Sequence, residues 1–433
     1  MNFPAVNPSD GKLLVTYLGH TPTEVDGKLA QAVKAQKEWY AYSFAERKRR
    51  MKKVASILRK KKKDYSTLIT EEMGKPITQS EAEIEKCAWA CEHFADHAEN
   101  YLRPVAVKTE ARKSYVSFEP LGVIFGIMPW NFPFWQVIRF AAPTMMAGNG
   151  VVLKHASNVP GCSLAIQEVF HQAGVPRGLF ASLLIDSKSA LSLIDDPRGA
   201  GVSVTGSTRA GKEIAARAGL NIKKCVLELG GSDPFIVLNP VESVQDCAHS
   251  AVRGRMVNGG QSCIAAKRFI VPKNISTEFG REMKRVMSEL KVGDPFDPST
   301  EVGPLARKDM VSHLHAQVSR SVRMGGHVVF KYPQMPKKGF YYPPTLFSRV
   351  RTDMPVFSEE TFGPVAGIIS ADSPTHSIEL ANLTEYGLGS SIWTSDVKKA
   401  EAFARRIQAG NVFVNANVAS DPRIAFGGIK RSG

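Results

Sequence analysis

The chain has 433 residues, 43% apolar and 22% charged, and no apolar run nears the roughly 20 residues a membrane span requires. That length holds about two to three domains, each with a core of its own. Residues 1–40 lack both the apolar core of a secretory signal and the Arg-rich pattern of an organellar transit peptide, so a cytoplasmic protein is expected. The formal charge of +15 raises the question of a polyanionic partner.

In chain order, Glu24 to Ala41 and Phe44 to Met73 read as helices, the second ending near Gly74-Lys75-Pro76. Much of the positive charge sits between Arg47 and Lys63. There Phe44, Met51, Val54, Leu58, Tyr65 and Leu68 recur at spacings of seven, three, four, seven and three, one apolar stripe on a basic helix. A solvated outer face explains such a run better than nucleic acid or a membrane surface, and its potential can still steer anionic substrates. A third helix spans about Thr78 to Tyr101, and Val105 to Thr109 with Ser114 to Glu119 suggests a hairpin.

From Leu121 the pattern changes. Strands are expected at Gly122–Met128, Val151–Lys154, Leu179–Ile185, Gly201–Thr205 and Lys224–Leu229, separated by helices at Pro133–Ala147, Pro160–Ala173, Lys188–Ile194 and Thr208–Ala218. That alternation argues for βαβ units and a doubly wound parallel sheet. Helix–strand alternation then resumes from Pro234 to about Val414 as a second α/β domain. Ligands of such sheets bind beyond the carboxyl ends of the strands. Pro129-Trp130-Asn131, Lys154, Gly206-Ser207 and Glu228 all fall there.

Gly206-Ser207-Thr208-Arg209-Ala210-Gly211-Lys212 nearly spells a P-loop, but Glu213 follows where a magnesium-holding hydroxyl is required, which argues against an ATPase. A strand, a glycine turn and a helix start remain, and such a helix start can hold a pyrophosphate through backbone N–H groups and the Ser207 and Thr208 hydroxyls. The six cysteines (87, 91, 162, 225, 247 and 263) form no close C-x-x-C pair, so neither a disulfide framework nor a zinc site is expected. Cys263 stands apart, after Asn258-Gly259-Gly260-Gln261-Ser262. A lone cysteine is more often an inert core residue than a nucleophile. With an ordinary pKa of about 8.5, it needs a base, an oxyanion site and an activating environment to react.

Five motifs in order supply a context. Pro129-Trp130-Asn131-Phe132-Pro133, Leu227-Glu228-Leu229-Gly230-Gly231, Gly260-Gln261-Ser262-Cys263, Glu359-Glu360-Thr361-Phe362-Gly363-Pro364 and the ending Ser420 to Gly433 together resemble the aldehyde dehydrogenase superfamily. The likeness is greatest to its short succinate-semialdehyde branch and runs from about Asn7 to Gly433. It implies a Rossmann-like cofactor domain at 1–229, with an oligomerisation hairpin at 104–120. It further implies a catalytic domain at 230–414 and a return segment at 415–433. The final strand with which relatives join a neighbouring subunit is not found before Gly433, so homo-oligomer assembly, as a dimer or tetramer, and activity are expected to suffer if it is missing.

By the same resemblance Cys263 is the nucleophile, Asn131 the side-chain oxyanion donor and Glu228 the general base, its apolar neighbours Val226, Leu227 and Leu229 suggesting a raised pKa if buried. Trp130, Lys154, Ser157, Gly206, Ser207, Glu360 and Phe362 line the cofactor site. Ser157 stands where NAD-preferring relatives often carry a glutamate, so NADP is expected to be favoured or accepted alongside NAD. Arg139, on an otherwise apolar helix, and Ser420 are the expected partners of the substrate's far carboxylate. The implied reaction converts succinate semialdehyde to succinate through a thiohemiacetal and a thioester. Two other classes are weaker: a cysteine hydrolase, for which no histidine has a motif context, and a non-catalytic polyanion-binding protein.

Overall fold

The computed structural model describes residues 1–433, which divide into two compact units: 1–6, 13–72 and 80–227 in one, 7–12, 73–79 and 228–433 in the other. The first unit opens with a hairpin, β1 (Asn2–Val6) and β2 (Leu13–Leu18), which the sequence pattern does not announce. Pro4 interrupts its first strand, and Leu13 to Leu18 shows no alternation of buried and exposed positions. Four helices follow, α1 (Pro22–Tyr40), α2 (Phe44–Lys60), α3 (Lys62–Met73) and α4 (Ile77–Tyr101). The expected single helix from Phe44 to Met73 is thus broken at Lys61, which leaves helical geometry at φ −105° and ψ 22°. Its stripe stays in phase, with Met51, Val54, Leu58 and Tyr65 buried on both sides of the break. Lysine carries no helix-stopping signal, so the break is silent in the pattern.

Part of the basic run faces α4. Lys48 and Lys52 both reach Asp96, at 2.8 and 2.9 Å, and Arg59 pairs with Glu85 and Glu92. Others bond elsewhere: Arg47 turns inward, donates to the Met146 carbonyl and lies over the Phe44 ring, and Arg50 donates to the Gly174 carbonyl.

A two-rung hairpin, β3 (Val105–Ala106) with β4 (Tyr115–Val116), leaves Val105, Tyr115, Val116 and Phe118 exposed. Then come β5 (Val123–Met128), α5 (Trp135–Met146), β6 (Gly150–His155), α6 (Pro160–Gln172), β7 (Phe180–Ser182), α7 (Ser187–Asp195), β8 (Gly199–Thr205), α8 (Thr208–Leu220) and β9 (Lys224–Glu228). The sheet order is β7-β6-β5-β8-β9, with β5 parallel to both neighbours. This is the doubly wound order, and its direction of winding reverses between β5 and β8. Phe125, Val152, Leu183, Val202 and Ile214 are among the residues that fill one face of it.

The second unit comprises β10 (Pro234–Val237), α9 (Val244–Met256), β11 (Arg268–Pro272), α10 (Lys273–Glu289), α11 (Lys308–Arg323), β12 (His327–Lys331), β13 (Thr345–Ser348), α12 (Pro355–Ser358), β14 (Val365–Ala371), α13 (Pro374–Asn382), β15 (Gly389–Trp393), α14 (Val397–Ala404) and β16 (Asn411–Val414). Its seven strands run β12-β13-β14-β11-β10-β15-β16, parallel except for the antiparallel β12–β13 edge. Apolar cores cover both faces, one around Ile270, Phe347 and Ile392, the other around Phe235, Phe269 and Met283. No helix of the chain is long and apolar enough to cross a membrane.

Candidate active site

In the first unit the candidate residues gather at the carboxyl ends of the parallel strands. β5 ends at Met128 and delivers Trp130 and Asn131, both buried. Their turn is pinned from two sides. Glu83 of α4 accepts the Phe134 and Trp135 N–H groups at 2.9 Å each and so fixes the start of α5. His155, at the end of β6, sits between the Met128 and Pro133 carbonyls. Its Nδ1 accepts the Ala156 N–H at 2.9 Å, so the ring proton is on Nε2 and goes to Pro133. Burial pushes the His155 pKa down to about 4, so the ring stays neutral and this arrangement holds at any physiological pH. Neither residue has a motif to reveal it.

Lys154, opposite Ile127 in the register, is half-buried with its pKa lowered by burial, and Ser157 just beyond is exposed. Two helix starts lie nearby in sequence, and they differ. At α6 the Gly161 and Cys162 N–H groups are already taken by the Glu72 carboxylate, at 2.8 and 2.9 Å, and burial raises its pKa to about 7. At α8, Ser207 caps its own helix through Ala210 N–H, Ser207 is exposed, and a side chain added at Gly206 would meet nothing within 4 Å. Only the second start is open to an anion. Arg139 lies on α5 with Phe140 on the less buried side, while Trp135 to Ile138 are all buried.

In the second unit the loops that carry candidate residues feed the amino ends of the strands. Glu228 to Ser232 leads into β10, Cys263 into β11 and Glu360 to Pro364 into β14, the reverse of the arrangement in the first sheet. Asn258, Gly259 and Gly260 hold φ values of 52°, 60° and 77°, a left-handed run that an Asn-Gly-Gly sequence tolerates. It closes on Gln261, which is buried, donates to Asn258 O and accepts Ala306 N–H at 2.9 Å. Cys263 emerges half-buried.

The Gly230-Gly231 pair explains itself sterically. A Cβ at Gly231 would fall 2.6 Å from the Cys263 carbonyl oxygen, and one at Gly230 would meet the Glu360 carboxyl at 2.5 Å. Glu360 is half-buried, accepts the Gly231 N–H at 3.0 Å, and has its pKa raised by burial. Ser432 clamps the same turn, accepting Leu229 N–H on its carbonyl and donating its hydroxyl to Gly230 O at 2.7 Å. Gly427 approaches the Glu228 carboxylate, since a Cβ there would be 3.6 Å from Oε1. The unit therefore brings the Cys263 backbone and the Glu360 carboxylate onto one glycine turn, which follows directly on Glu228 in the chain. Phe362 lies beside them in sequence, half-buried, and Ser420 is buried in the return segment.

The condition attached to Glu228, burial among apolar neighbours, is met only in part. The apolar flank of Glu228 does not enclose it, because Val226 is 62% exposed and Glu228 itself only half-buried.

The comparisons agree with this geometry. The model of the aldehyde dehydrogenase family matches residues 1–433. The chain is similar to a Synechocystis protein named "Probable succinate-semialdehyde dehydrogenase [NADP(+)]", 46% identical over 433 residues that cover all of this chain and 95% of the relative. It is 42% identical to the succinate semialdehyde dehydrogenase [NAD(P)+] of Escherichia coli, over 99% of this chain and 93% of that protein. Among solved structures, the succinic semialdehyde dehydrogenase of Streptococcus pyogenes in complex with NADP+ superposes with a TM-score of 0.97 at 34% identity, covering 100% and 95% of the two chains.

Proposed function

Because the chain belongs to the aldehyde dehydrogenase family, we infer that it oxidises succinate semialdehyde to succinate, with NADP favoured and NAD accepted. The observation that supports the reading is the meeting of the Cys263 backbone and the Glu360 carboxylate on the Gly230-Gly231 turn that follows Glu228. In the proposed reaction the Cys263 thiolate adds to the aldehyde carbon, and the Asn131 amide, aided by the Cys263 N–H, donates to the oxyanion. A bound nicotinamide supplies the hydride acceptor. Glu228 then takes a proton from water, which attacks the resulting thioester on Cys263 and releases the acid. Trp130, Lys154, Ser157, Gly206, Ser207, Glu360 and Phe362 are the proposed cofactor contacts. The open start of α8 and the half-buried Lys154 beside exposed Ser157 suit a dinucleotide with a 2′-phosphate.

The test is an assay of the purified protein with succinate semialdehyde and an uncharged aldehyde of similar length, each with NADP and NAD. No reduced nicotinamide with any pair would sink the reading. Ser157→Glu places a carboxylate beside the proposed 2′-phosphate. At about 2 kcal/mol or more for like charges in contact, kcat/KM with NADP should fall about thirtyfold, with NAD little affected. An equal fall with both cofactors would remove Ser157 from the 2′-phosphate site.

Arg139 and Ser420 are the proposed carboxylate partners. Losing a charge-assisted hydrogen bond costs about 1.5–3 kcal/mol, so Arg139→Ala should raise KM for succinate semialdehyde about ten- to hundredfold. The uncharged aldehyde should be nearly indifferent, and equal effects would return Arg139 to a structural role. A homo-oligomer is proposed as well, since the β3–β4 hairpin exposes Val105, Tyr115, Val116 and Phe118. The six free thiols suit the cytoplasm.

A further inference from the structure

Beneath Cys263 lies a set of buried charges that neither the motifs nor the proposed steps account for. Lys267 is 1% exposed, and its ammonium donates to three carbonyls of the nucleophile's own turn: Ser262 at 3.2 Å, Cys263 at 2.8 Å and Ala265 at 3.0 Å. All three of its protons are thereby used, and none is shared with a carboxylate. Two further cations are wholly buried. Arg255 donates to the Ala266, Thr361 and Gly363 carbonyls, and Arg268 to the Ser232, Leu380 and Ala381 carbonyls.

The charged or titrating groups that act on Lys267 include Glu360, Arg255, Asp233 and Cys263. Glu360 accepts Gly231 N–H, and Asp233 accepts Gly389 N–H at 3.1 Å. Arg255, Lys267 and Arg268 thus spend these donors on main-chain carbonyls rather than on carboxylates. Burial raises Asp233 to about 6 and Glu360 above its ordinary value, which weakens both as counter-ions. It also lowers Lys267, so the lysine's charge is complete only below its own lowered midpoint. A buried cation is costly and is stabilised by an anion nearby.

We propose that Lys267 is a positioning residue for the nucleophile: it fixes the Ser262–Ala265 turn through three carbonyls and supplies the positive charge that the Cys263 thiolate balances. The protein thus carries a thiolate-stabilising charge behind the turn. The inference rests on Cys263 being the nucleophile and is independent of which aldehyde or cofactor is used.

Alkylation of Cys263 by iodoacetamide as a function of pH tests it without substrate or cofactor, so its outcome is separable from that of the assay above. Cys263→Ser gives the background from the other thiols. Wild-type alkylation should show a midpoint clearly below the ordinary thiol value of about 8.5. Lys267→Gln keeps hydrogen-bond donors without the charge, and Lys267→Met removes both. In each the midpoint should rise by about one to two pH units, the range a nearby opposite charge commands, with an unchanged plateau at high pH. Alkylation at pH 7 then falls about ten- to hundredfold. A wild-type midpoint at or above 8.5 would overturn the proposal even if neither variant folds. So would a lower melting temperature in Lys267→Gln with the midpoint unmoved, which is what a purely structural lysine predicts.

Discussion

Cys263→Ser is expected to lower kcat for aldehyde oxidation by about 10⁴-fold or more, the scale on which enzymes respond to loss of their nucleophile. The change is nearly isosteric at a half-buried position, so the fold should be spared. The left-handed Asn258-Gly259-Gly260 run and the Gln261 bonds that shape the turn are untouched by it. Serine is the informative replacement because an alcohol in the same place retains the geometry and loses the accessible anion. A variant that kept a few per cent of wild-type turnover, with its melting temperature unchanged, would show that the sulfur does not carry the substrate. A wild-type enzyme that hydrolysed activated esters through Cys263 but never reduced nicotinamide would favour the cysteine-hydrolase class instead.

The sequence made some parts of this site visible and others not, for physical reasons. Parallel strands buried on both faces read as continuous apolar runs, so β5 and β6 could be placed to within a residue or two, with Asn131 and Lys154 at their ends. The doubly wound parallel sheet followed from alternation alone; its strand order did not. The glycine pairs before Cys263 and after Glu228 stood in the motifs without a reason; close contacts of Gly260 with the Gly363 carbonyl, of Gly231 with the Cys263 carbonyl and of Gly230 with the Glu360 carboxyl supply it.

What stayed hidden was the support beneath the site. Arg255, Lys267 and Arg268 look like ordinary charges in sequence, because their partners are backbone carbonyls that leave no trace in side-chain spacing. His155, Glu83 and Glu72 are hidden likewise, each satisfying main-chain groups far away in the chain. The burial of Glu228 was not legible either, because apolar neighbours on an edge strand need not be buried, and Val226 is not.

Glu228→Gln is expected to separate the two halves of the reaction. The amide retains the size of the carboxylate, and the turn that presents it is held through the backbone by Ser432, so the loss should be chemical rather than structural. If Glu228 activates the hydrolytic water, the variant should still form its thioester. Mixing it with aldehyde and cofactor should then release about one equivalent of reduced nicotinamide per active site in a rapid phase. A steady state lowered about 10²–10⁴-fold should follow, the usual worth of a positioned general base. Hydroxylamine, which attacks thioesters without a base, should restore part of the steady-state rate. A slow, linear trace with no rapid phase would place Glu228 before thioester formation and remove it as the hydrolytic base. Lys267→Gln makes the complementary prediction, since it weakens the nucleophile and not the water: its rapid phase should itself slow below neutral pH and recover at high pH. The two variants therefore fail on opposite sides of the thioester. A matching failure of both in the rapid phase would mean that one group, not two, controls the state of Cys263.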